Sequence, residues 1–81
     1  METRVAVISM IITKEESVEA MNALMHQYAA FVVGRMGIPY RQKGVNIISI
    51  VIDAPMDQIN ALTGSLGRLD GVSAKVTYAQ I

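Results

Sequence analysis

The chain has 81 residues, no cysteine and no net charge, with seven acidic residues balancing seven basic ones. That length holds a single core and therefore one domain, and so small a body buries only ~60–65% of its unfolded surface. Lack of cysteine excludes disulfides, cysteine-rich zinc sites and iron–sulfur ligation within the chain. Neutrality argues against direct nucleic-acid binding, which draws much of its affinity from cations on phosphates.

Glu2 precedes Arg4, and no basic-then-apolar leader follows, so the start does not read as a signal peptide. Arg4 to Thr13 is rich in valine and isoleucine and reads as a strand buried on both sides. Its apolar run falls far short of the ~20 residues a helical membrane span needs, so the expectation is a soluble cytoplasmic domain with no membrane partner. Glu15, Glu16 and Ser17 then open a helix, their carboxylates suiting the positive end of its dipole. Val18, Met21, Met25, Tyr28 and Val32 recur at three- and four-residue steps, which predicts a helix over 17–31 with these residues on its inner stripe. Val32 to Tyr40 contains glycines and Pro39, which an edge strand tolerates and a central strand does not. Gln42-Lys43-Gly44 is a turn, and Val45 to Asp53 is a second strongly β-branched strand. Pro55 marks the next helix start, with Asp53 and Asp57 flanking it as candidate caps, and Ile59, Leu62, Leu66 and Leu69 form its stripe. After the Asp70-Gly71 turn, Val72, Ala74, Val76 and Tyr78 alternate with Ser73, Lys75 and Thr77 as a half-exposed strand.

The order β-α-β-β-α-β predicts an α+β, ferredoxin-like sandwich, a four-stranded antiparallel sheet with both helices on one face. The first and third strands take the centre and the second and fourth the edges. On a monomer the face away from the helices would be polar. Here Val5-Val7-Ser9-Ile11 and Ala6-Ile8-Met10-Ile12 are both apolar sets, and Val45-Ile47-Ser49-Val51 and Ile48-Ile50-Ile52 leave little polar face. With 52% of residues hydrophobic and 17% charged, something apolar has to cover that side. A second copy is the economical cover, which predicts a homo-oligomer, dimer or tetramer; a separate partner domain is the rival.

Few residues offer chemistry. His26 is the single histidine, and its helical neighbours supply only Glu19, Asn22 and Ala30, so a metal site at His26 needs a second subunit. The six methionines are explained by core filling, as Met10, Met21 and Met25 sit in periodic apolar positions. With one histidine and no cysteine there is no Ser–His–Asp or Cys–His set. The loop Thr13-Lys14-Glu15-Glu16 lacks the arginine-bearing phosphate cradle of acylphosphatase, and no aromatic lies in the first or third strand to stack RNA bases. That leaves Gly34, Arg35, Met36, Gly37, Ile38, Pro39, Tyr40 and Arg41. Glycines permit close approach, and Arg35, Arg41 and Lys43 would complement an anion. The same residues also suit an edge strand kept soluble by its cations, and the residues by themselves leave both readings open.

Several stretches resemble the small bacterial family of iron-only hydrogenase system regulators: RVAVISMII, HQYAAFVVGRMGIPYR, GVNIISIVIDAP and INALTGSLGRLDGVSAKV. GRMGIPYR and SIVIDAP are the most specific parts. The resemblance spans nearly the full length and implies one ACT-like domain over residues 1–81, similar to the C-terminal domain of nickel-responsive repressors. Such domains sense small ligands at subunit interfaces and signal to an attached effector. It implies a non-enzymatic regulator with a small-molecule ligand at Gly34 to Arg41 and a protein partner from the hydrogenase system. It names no cofactor. Two departures stand out: the repressors carry a ribbon–helix–helix segment ahead of this domain, whereas the first strand here begins by Arg4, and they hold nickel through several histidines and a cysteine. A scaffold subunit that binds only protein, or a metal sensor using His26 at a subunit interface, are the alternative roles.

Overall fold

The computed structural model describes residues 2–81. Strand β1 (Arg4–Ile12) leads to helix α1 (Glu16–Gln27), a 3-10 turn at Ala29–Phe31 and strand β2 (Val32–Tyr40). A second 3-10 turn at Arg41–Lys43 precedes β3 (Val45–Ala54), helix α2 (Met56–Gly67) and β4 (Val72–Tyr78). The sheet is antiparallel in the order β2-β3-β1-β4, so the two solidly β-branched strands are central and the compromised ones are edges, as expected.

The inner layer is set by register. Ala6, Ile8, Met10 and Ile12 lie opposite Ile52, Ile50, Ile48 and Asn46 across β1 and β3. The isoleucines of this layer meet Met21 and Met25 of α1 and Ile59, Leu62 and Leu66 of α2 in one buried cluster. Burying an aliphatic side chain of this size contributes about 1.5–3 kcal/mol relative to exposure, so these residues dominate stability. The expected stripe of α2 is thus correct through Leu66, with Leu69 packed against its edge.

Two local expectations are corrected. Helix α1 ends at Gln27 instead of running to Phe31, because Tyr28 takes φ −107° and ψ 13° and the chain tightens into a 3-10 turn. This turn lets Tyr28, Phe31 and Val32 pack against the core from a new direction. At α2 the N-cap residue is Pro55, whose carbonyl accepts from the Gln58 and Ile59 N–H groups. Of the two expected carboxylates Asp57 does take up a first-turn N–H, its Oδ1 accepting from Gln58 at 3.0 Å, whereas Asp53 lies within β3 and makes no such bond among the described residues.

One end of the sandwich is closed by a polar latch. Thr13 N–H donates to the Gly71 carbonyl at 2.8 Å, Lys14 pairs with Asp70 at 2.8 Å, and the buried Ser17 hydroxyl donates to the Asp70 carbonyl. Asp70 raises the Lys14 pKa above 10.5, by hydrogen bonding first and by charge second. The pair's support is therefore full below that value and fades as pH rises past it; being exposed, it is also screened by salt. Ser17→Ala leaves the Asp70 carbonyl without its partner, and chemical denaturation is expected to show a loss of about 1–2 kcal/mol.

Candidate functional site

Alternation along β2 divides the expected ligand segment. Gly34, Met36, Ile38 and Tyr40 stand opposite Val51, Ser49, Ile47 and Val45, on the face away from the helices. Arg35, Gly37 and Pro39 stand opposite Ile50, Ile48 and Asn46, on the helix side. A bulge between Val32 and Gly34 shifts the register and leaves Val33 outside the ladder. Seven of the eight residues thus fall in three places, Gly37 lies between the last two against Ile48, and the segment does not form one surface.

The first place is the open sheet face. In one row across the sheet Ile38, Ile47 and Ile11 are neighbours on β2, β3 and β1, exposed by 46%, 37% and 48%. Met36 and Tyr40 flank that row; next to it on β1 and β3 lies the Ser9–Ser49 pair, and beyond that pair Val7, Val51 and Val5 are half-buried. Apolar side chains at these positions suit β1 and β3 as strands in any surroundings; what is unusual is that nothing among the described residues covers them.

The second place is a cleft of about 320 Å³ between α1 and β2. Met25, Ala29 and Val32 are its apolar part, and Asn22, His26 and Arg35 its polar part. Asn22 and His26 are four residues apart on α1 and so share one flank of the helix. The tight turn after Gln27 brings β2 back along that flank, and Arg35 Nη2 donates to Asn22 Oδ1 at 3.2 Å. No acidic residue lines this cleft. Among the described residues there is no grouping of three or more His, Cys, Asp or Glu side chains, so His26 has no companion ligands within one subunit.

The third place lies at the far end of β2. Pro39 and Arg41 border a hollow of about 430 Å³ with Thr13, Glu15 and Asn46. Asn46 Nδ2 donates to Glu15 Oε2 at 3.1 Å, tying the start of β3 to the loop before α1. Glu15 and Asn46 carry no signal as site residues in the sequence, whereas helical spacing already sets Asn22 beside His26.

Among the described residues no helix is long and apolar enough to cross a membrane. The fold superposes on an uncharacterised protein of Thermotoga maritima, TM1266, with a TM-score of 0.94 and 29% identity, over 98% of this chain and 100% of that one. A formyltetrahydrofolate deformylase from Pseudomonas putida KT2440 contains the same fold, with a TM-score of 0.66 and 13% identity. That match covers 90% of this chain but only 28% of the deformylase, so the chain corresponds to about a quarter of that enzyme. No curated protein matches the chain. The match to a family described, provisionally, as "Iron-only hydrogenase system regulator" extends over residues 4–76. With nearly its whole length and its β-α-β-β-α-β order in agreement, the chain belongs to this TM1266-like family.

Proposed function

We propose that the protein is a homo-oligomeric, ACT-like sensing module of the cytoplasm. It binds a small ligand beside β2 and acts on a protein partner of the iron-only hydrogenase or its maturation system. The observation that carries this reading is the convergence of Asn22, His26 and Arg35 on an open cleft between α1 and the edge strand. An edge strand is where a sheet gains or loses neighbours most readily. A ligand that ties α1 to β2 therefore acts at the part of the fold best placed to alter assembly, which is how a single-domain regulator can transmit a binding event.

Thermal unfolding in the presence of amino acids, nucleotides and divalent metal ions tests the reading. A true ligand at a hundredfold excess over its Kd is expected to add ~2.7 kcal/mol of stability, a shift of roughly 10–20 °C for a domain of this size. A flat response to every class, from a protein that is still oligomeric, would argue that it senses none of them.

The exposed row Ile38–Ile47–Ile11 supports a second reading, a scaffold whose open face docks a different protein. Purification from the native host separates the two. A stoichiometric partner that remains bound after Arg35→Ala and Arg41→Ala favours the scaffold.

A further inference from the structure

We propose that the cleft between α1 and β2 binds a small organic monocarboxylate, its carboxylate held by Arg35 and its hydrocarbon body laid on Met25, Ala29 and Val32. This rests on the sensing reading above and assigns it a ligand class and a location. Guanidinium has no acceptor, so the 3.2 Å contact to Arg35 obliges Asn22 to offer its oxygen, leaving the Asn22 amide N–H groups for a third party. That one contact uses one N–H of Arg35 and leaves most of its fork free, the geometry that pairs with a carboxylate through two parallel hydrogen bonds. The imidazole of His26, on the same flank of α1, has a ring N–H to add. With no Asp or Glu lining it, the cleft is rich in donors and has no carboxylate to compete for Arg35.

The remaining surface selects among anions. Inorganic phosphate would fill the polar part and leave the apolar floor wet. A nucleotide brings several negative charges to a cleft with one permanent cation, Arg35. A divalent metal ion would find no carboxylate ligand. At about 320 Å³ the cleft sits at the small end of ligand pockets, ~300–1,000 Å³, and suits a short-chain acid. Such a molecule would bridge helix and edge strand, touching α1 through Asn22, Met25 and His26 and β2 through Val32 and Arg35.

Titration of the ¹⁵N-labelled protein with sodium pentanoate, followed by amide chemical shifts, tests the assignment. Pentanamide and inorganic phosphate serve as comparison ligands. Pentanoate is expected to shift Asn22, Met25, His26, Ala29 and Arg35 in a saturable manner. Pentanamide, and pentanoate with the Arg35→Gln variant, are each expected to bind at least about tenfold more weakly, the loss of a hydrogen bond between charged groups; phosphate is expected to be weaker by a similar factor because it has no hydrocarbon to cover the apolar floor. Arg35 is exposed and makes one side-chain contact, so the variant is expected to keep the wild-type spectrum elsewhere. Lys75→Gln, an equal loss of charge on the opposite edge strand β4, is expected to bind pentanoate as the wild type does. Equal affinity for pentanoate and pentanamide, undiminished binding in Arg35→Gln, or shifts confined to Glu15 and Arg41 would each overturn the assignment. Thermal stabilisation by an amino acid, nucleotide or metal that survives Arg35→Gln would also overturn it while leaving a sensing role intact. Absence of stabilisation by every compound, pentanoate included, removes both.

Discussion

Ile47→Lys is expected to convert the proposed homo-oligomer to a folded monomer. Ile47 sits at the middle of the open face, between Ile11 of β1 and Ile38 of β2. In one subunit it is 37% exposed, so a lysine there can reach water and the fold survives with an unchanged far-ultraviolet dichroism spectrum. At the centre of an apolar interface between copies the same lysine is desolvated without a partner. That costs about 3–5 kcal/mol, equivalent to a Kd more than about a hundredfold weaker. The adjacent position is the control. Ile48 points to the helices and is 5% exposed, so Ile48→Lys is expected to unfold the chain outright. Light scattering coupled to size exclusion reads the mass directly. A wild-type protein that is monomeric at high concentration, or an Ile47→Lys variant that keeps the wild-type mass, would remove the self-association through this face.

Gly71→Ala is expected to be the most damaging of the glycine substitutions. Gly71 has φ +73°, where any residue with a Cβ is strained, and a Cβ there would lie 2.6 Å from Lys14 Cγ and 2.9 Å from Lys14 Cβ. These atoms sit near the root of the lysine side chain, in the loop that also supplies the Thr13 N–H to the Gly71 carbonyl. Relief therefore requires moving backbone in the latch that joins β1 to β4. A loss of about 2–4 kcal/mol is expected, which for a domain this small lowers Tm by roughly 10 °C or more. Gly44, with φ +66° but open space around it, isolates the conformational part of the effect: Gly44→Ala is expected to cost about 1 kcal/mol. Equal losses at the two positions would show that the crowding against Lys14 is relieved without cost.

The element order was legible because each strand and helix carries its own period and punctuation. The β-branched runs, the three- and four-residue stripe from Ile59 to Leu66, Pro55 ahead of α2 and Asp70-Gly71 behind it all act locally. The same logic failed where the outcome depended on distant packing. Tyr28, Ala29 and Ala30 are compatible with continued helix, yet α1 ends at Gln27, and Phe31 and Val32 dock on a core made by other elements. Propensity there is worth a few tenths of a kcal/mol per residue, less than the burial of one aromatic side chain.

The candidate site shows the same division. That Val32 to Tyr40 is an edge strand followed by a turn was readable from its glycines and Pro39. Which of its residues act together was not, because period-two alternation sends Arg35 to one side of the sheet and Met36 to the other. Arg35 and His26, nine positions apart, meet only because the turn after α1 folds β2 back along the helix.

By itself the sequence determined the β-α-β-β-α-β order, the choice of central and edge strands and an apolar load larger than one small sheet can hide. These follow from local propensity and from composition, which act over a few residues or over the whole chain at once. Tertiary structure alone decided which apolar set of β1 faces the helices, since Ala6, Ile8, Met10 and Ile12 and the alternating Val5, Val7 and Ile11 are nearly equal in hydrophobicity. It alone also gathered Asn22, His26 and Arg35 around a cleft. Strand register and helix docking are set by cross-chain contacts, and no window of the sequence contains both partners of such a contact.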